Sequence, residues 1–297
     1  MLEFGYLPDD LNINKGKVRV SSLPGREAAN VDVLALSQRI QNNWIYPPQM
    51  GIEISKTGEF RANPFPKRIF CLPKTHQITR TKSDSDDHLA FHLLSLSFFT
   101  GMHLTSTEAG FLDATPIKPN TLNDFVLLGN SLPESVELAE RFWCSNQDKP
   151  EQPKRFEAAI HALFLAQYPQ ALQFESFNYL YTALDACYRI KAYDGITPHT
   201  KRVNWLCEEF CIDAPDWARV EERESVLSKI RNPATHQGLY EQEPLGFALH
   251  SVGENLNLNL EMQALICRLL VAIIGAYSAD YVRSPVNTRQ QHGLKLT

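Results

Sequence analysis

The chain has no glycine-rich phosphate loop. Neither the P-loop pattern nor the dinucleotide fingerprint occurs, which sets aside the nucleotide-binding enzymes built on those loops. No Gly-x-Ser-x-Gly elbow surrounds Ser95, Ser97 or any other serine, so a hydrolase triad of that type has no support. There is no excess of basic charge: the net charge is -5, and a polyanion would have to be met by a local site, not by the whole surface. No internal repeat or low-complexity run is present. Met1-Leu2-Glu3-Phe4 leads into Asp9 and Asp10 with neither a basic start nor a long apolar core, so no secretory signal is expected.

Six cysteines are scattered through 297 residues. Cys207 and Cys211 lie one helical turn apart, but no second Cys or His pair stands at zinc-site spacing. The expectation is reduced thiols, a cytoplasmic location and no metal. His88 and His92 stand at i, i+4, a spacing metals use, without the Glu of the metalloprotease motif; they read as polar residues at a helix start. Met262 to Ala279 is the most apolar stretch, yet it contains Arg268, which argues for a core helix and against a membrane span.

The pattern along the chain predicts an α+β protein. In the first 80 residues, Lys17-Val18-Arg19-Val20 and Gly51-Ile52-Glu53-Ile54 alternate with period two, and Arg68 to Leu72 is a third short run. Trp44, Phe65 and Phe70 read as core of a mixed strand and helix domain that would serve as a sensing or targeting module. Helical spacing starts at Leu89, after acids suited to a helix N-terminus, and Gly101 stops it. A second helix is predicted over 133–144. The polar, proline-containing stretch Asn146 to Pro153 marks the expected boundary, giving domains 1–148 and 149–297. Beyond it, apolar residues recur at helical spacing over 155–168, 175–192, 200–210, 216–230 and 260–282, which predicts an all-α up-and-down bundle.

The stretch 216–230 leads into Arg231-Asn232-Pro233-Ala234-Thr235-His236. A guanidinium, a carboxamide and an imidazole within six residues are groups suited to hold a phosphate and move a proton beside it. In a structural reading, Arg231 would bond the last carbonyls of its own helix and His236 would buttress the turn at Pro233.

Together, Phe174-Glu175-Ser176-Phe177-Asn178-Tyr179-Leu180-Tyr181-Thr182-Ala183-Leu184-Asp185-Ala186 and Lys229 to Gly238 resemble HEPN domains. These are nucleic-acid-processing helical bundles of prokaryotic toxins and defence proteins, and the resemblance covers roughly residues 155–283. Their signature is an Arg, a polar residue, and a His after four to six intervening residues; Arg231, Asn232 and His236 match it with four. The resemblance implies a metal-independent endoribonuclease with RNA as substrate and no cofactor. It also implies a homodimer that joins two motifs in one composite site, and an antitoxin or other regulator as a further partner. His236 would be the acid-base group, Arg231 the phosphate clamp and Asn232 a supporting donor. Asp185 is where the family's acid on an earlier helix would be sought, and Lys229 and Lys201-Arg202 would add positive charge for the strand. Glu221, Glu222 and Glu224 make the preceding face acidic, which is unfavourable for RNA. The alternative is a non-catalytic binding or dimerisation protein in which the motif is structural.

Overall fold

The computed structural model describes residues 1–47, 52–54, 57–62, 72–81, 86–106, 114–192, 197–220, 224–246, 257–288, 290 and 292–297. The chain forms two compact units, Met1–Leu122 and Asn123–Thr297.

In the first unit, β1 (Leu2–Phe4), β2 (Asn12–Lys15), β3 (Val18–Ser22) and β8 (His76–Arg80) form an antiparallel sheet of order β1-β8-β3-β2. Val18 and Val20 are buried while Arg19 is exposed, the alternation expected of a strand with one covered face. Helix α1 (Arg26–Ala35) follows β3; β4 (Ile40–Gln41) pairs with β5 (Trp44–Ile45), which pairs in turn with β9 (Thr115–Pro116), and β6 (Ile52–Ile54) pairs with β7 (Phe60–Ala62). Trp44 is buried, as expected of a core residue. Phe65, Phe70 and Arg68–Cys71 of the third predicted run lie outside the described residues.

Helix α2 (Asp86–Thr100) is apolar on nearly every side and buried accordingly. Gly101, at φ 61, ends it as the sequence suggests. The Ser97 and Thr100 hydroxyls donate to Leu93 O at 2.9 Å and Leu96 O at 2.8 Å, so they are bonded within their own helix. His88 and His92 are at the helix start but buried, their rings stacked at 5.0 Å.

The sheet contains a buried imidazole whose tautomer follows from its neighbours. The Ser22 hydroxyl donates to Asp10 Oδ1 at 2.5 Å and accepts from Leu11 N at 3.1 Å, so at 3.1 Å from His76 Nε2 it takes the imidazole proton. His76 Nδ1 is then the acceptor for the Thr75 hydroxyl at 2.9 Å, whose oxygen accepts from Leu7 N at 3.0 Å. Asp10 bonds the serine, not the imidazole, so this is not a nucleophile relay. Burial drives His76 down from 6.5 to about 4. The unfolded chain therefore binds a proton near pH 6.5 that the folded chain refuses until about pH 4. Stability is full above that window and falls by about 3 kcal/mol as pH drops across it. Urea titrations between pH 7 and 4 should show the slope, and His76→Gln should flatten it. An unchanged slope would remove His76 from the acid response.

The second unit is built on helices α3 (Ser131–Ser145), α4 (Glu151–Leu165), α5 (Gln173–Lys191), α6 (Arg202–Glu209), α7 (Val226–His236) and α8 (Leu258–Val271). Phe156, Ala159, Ile160 and Leu163 of α4, Phe177, Leu180, Leu184 and Tyr188 of α5, and Leu265, Ile266 and Leu269 of α8 are buried. These stripes recur at helical spacing, and the three helices pack on one another through them.

The units divide between Leu122 and Asn123, ahead of the expected 148/149 boundary. The reason lies at the chain end: β13 (His292–Leu294) pairs in parallel with β10 (Phe125–Leu127), and Leu296 N donates to Ser131 Oγ at 2.9 Å. These bonds place residues 125–131 and α3 in the second unit, and Asn146 to Pro153 becomes a tight connection with Pro153 in the first turn of α4. The unit is not all-α either, because it also holds the hairpin of β11 (Leu239–Tyr240) and β12 (Glu243–Pro244). The predicted closing helix, 260–282, is shorter: α8 gives way to a wide turn at Ala272–Ala276 where Gly275 takes φ 119.

By length and composition Leu258–Ala276 could cross a membrane, but 72% of its most apolar window is buried inside the protein. Arg268 explains how an apolar helix tolerates a charge. Its side chain is 1% exposed and donates to Asp124 Oδ2 at 2.7 Å, Ser284 O at 2.9 Å, Pro285 O at 3.0 Å and Ala264 O at 2.7 Å. The Tyr281 ring lies 4.7 Å beneath the guanidinium, and its hydroxyl donates to Asp124 Oδ1.

Candidate functional site

The hexapeptide lies within α7, not after a helix over 216–230. Residues Asp216–Ala218 form a single 3-10 turn after Pro215, and Arg219 is extended. Glu221 and Glu222 lie outside the described residues, and Glu224 is exposed. A fresh helix starts at Ser225, whose side chain accepts from Ser228 N at 3.3 Å. Leu227, Ile230 and Ala234 form its buried stripe. Pro233 stands inside the helix, where it removes a backbone donor, a feature that disfavours helix by roughly 3 kcal/mol in other settings.

That placement sets the exposure of the three candidate residues. Arg231 and Asn232, flanking the buried stripe, are half-buried, and His236 at the helix end is exposed. Arg231 Nη1 donates to Asn232 Oδ1 at 3.1 Å and lies 3.5 Å from His236 Nε2. The second contact is long for a hydrogen bond, and it requires a lone pair on Nε2. Asn232, accepting at its oxygen, keeps its amide nitrogen as a donor. All three groups thus meet around one guanidinium.

Helix α5 supplies the floor. The Arg231 guanidinium carbon is 5.6 Å from the centre of the Tyr181 ring. Two turns further along α5, the Arg202 guanidinium lies 4.8 Å from the Tyr188 ring centre. Between them Asp185 is ion-paired with Arg202, which also donates from Nε to Thr197 O at 3.3 Å. At the other end Tyr240 meets Phe177 with ring centres 5.5 Å apart, which ties the hairpin after His236 to the same helix. Burial pushes the Tyr181 phenol up; Arg231 and Arg202 oppose this and Asp185 adds to it.

The structure brings Arg231, Asn232 and His236 together and gives Asp185 a different neighbour. Arg202 is anchored to that carboxylate, while Lys201 and Lys229 are exposed. By spacing alone, Tyr181 and Tyr188 fall on the apolar face of the helix expected over 175–192. Their 181, 185, 188 spacing gave a common face but no hint of which arginine would cover which ring. Cys207 is buried and Cys211 exposed, and all five described cysteines are free. Burial pushes the Cys187 and Cys207 thiols up to about 12, so both stay protonated at neutral pH. Compared with protein-family models, with curated proteins and with solved structures, the chain matches none.

Proposed function

We propose that the chain is a metal-independent endoribonuclease of toxin or phage-defence type, working by acid-base chemistry at Arg231, Asn232 and His236. One observation carries the reading: an exposed imidazole and a carboxamide stand within reach of one half-buried guanidinium. The guanidinium would bind the scissile phosphate's non-bridging oxygens and offset charge gathering on them. His236 would take the proton from the neighbouring ribose 2′-hydroxyl, or deliver one to the leaving 5′-oxygen. Attack by the 2′-oxygen forms one P–O bond as the bond to the 5′-oxygen breaks, leaving a 2′,3′-cyclic phosphate and a 5′-hydroxyl.

One imidazole serves one of these two proton transfers at a time. A homodimer with a composite site would supply the second from the other subunit. The HEPN-like bundle, a regulator or antitoxin that silences the site, and action in the reducing cytoplasm belong to the same reading; the free cysteines are in keeping with the last.

The test is incubation of purified protein with a panel of labelled RNAs in EDTA. Cleavage leaving 2′,3′-cyclic ends is the expected result. Uncut RNA across the panel would favour the non-catalytic binding and dimerisation reading, in which the three residues stabilise the end of α7.

A further inference from the structure

We propose that Tyr181 is a positioning residue for the reaction: its ring is the platform that aims the Arg231 guanidinium at the phosphate. This inference rests on the ribonuclease reading given above. An arginine side chain has several freely rotating bonds, and a clamp must be held before substrate arrives if it is to help the transition state. A carboxylate could hold it, but would occupy its N–H donors and offset its charge. A ring face does neither. It attracts the cation through the π quadrupole and leaves the guanidinium's edge, with all five N–H groups, for other partners.

The 5.6 Å approach of Arg231 to the Tyr181 ring fits that role. So does the pairing one turn along α5, where Asp185 bonds Arg202. Tyr181 is itself held, half-buried on α5, with its ring 6.4 Å from that of Phe177. The platform is therefore part of a packed helix face and not a loose surface group.

The experiment compares the full chain with Tyr181→Phe, Tyr181→Leu, Arg231→Lys and the Tyr181→Leu/Arg231→Lys pair. Two readouts are used: initial rates on a labelled single-stranded RNA of mixed sequence, and urea midpoints. Phe keeps the ring and should retain cleavage within about threefold; Leu should lower kcat ~10- to 100-fold with a smaller change in KM. In the double variant the Leu change should add little to the loss already caused by Arg231→Lys. Full activity in Tyr181→Leu, losses that multiply, or Phe as poor as Leu would each overturn the proposal, the last by assigning the work to the hydroxyl. If the wild type cuts nothing, the ribonuclease reading fails and the proposed role goes with it. The urea midpoints then still report the contact: non-additive shifts for Tyr181 and Arg231 retain the platform as a structural pair, and additive ones remove that too.

Discussion

Replacing Arg268 by Met is expected to lower the melting temperature of the second unit by roughly 10 °C. The side chain is 1% exposed and joins α8 to Asp124, near β10, and to the segment after Tyr281. Met fills a similar volume with an apolar chain, so the loss comes from groups left behind. Asp124 would keep its charge with its main partner gone, and Ser284 O, Pro285 O and Ala264 O would each lose a donor. Breaking a buried pair from one side removes about 3–5 kcal/mol, and each kcal/mol moves the midpoint by about 2–4 °C in a unit of this size. Asp124→Asn in the same background should recover part of the loss, because it removes the orphaned charge. Thermal unfolding followed by circular dichroism reads both. A wild-type melting temperature for Arg268→Met would show that the hub contributes little and that apolar packing alone fixes α8.

How much of this was legible in the sequence depends on the range of the interaction. Helices α4 and α5 showed in their apolar spacing, because each buries one continuous stripe and is set by local periodicity. The extent of α7 did not. Pro233 normally argues that a helix stops before it, and the apolar spacing ends at Ile230, so local signals put the motif after a helix instead of within one. Packing of Leu227, Ile230 and Ala234 carries the helix through the proline. The division into units is non-local as well: Phe125–Leu127 pairs with His292–Leu294, which no local composition signals. The trio Arg231, Asn232 and His236 was readable because its members are neighbours in sequence. Tyr181 meets Arg231 only through tertiary packing, as Asp185 meets Arg202, the arginine that the family resemblance would offer to RNA.

On the proposed ribonuclease reading, His236→Ala and Arg231→Ala should separate chemistry from architecture. Removing a general acid-base group lowers rate on the order of 10²–10⁴-fold, and removing a charge-stabilising donor from the transition state on the order of 10²–10³-fold. His236 is exposed at the end of α7, so its loss should change stability by no more than about 0.5 kcal/mol. Arg231 is half-buried over Tyr181, so its truncation should also loosen that contact and lower the melting temperature slightly. The pattern expected is therefore a large rate loss in both variants with a thermal shift only in Arg231→Ala. Cleavage rates in EDTA and melting curves on the same preparations supply the two axes. If His236→Ala cuts RNA at the wild-type rate, the acid-base assignment is wrong whatever Arg231 does. If His236→Ala cleaves nothing and also melts well below the wild type, the imidazole holds the helix end, and the loss of activity is a consequence of that.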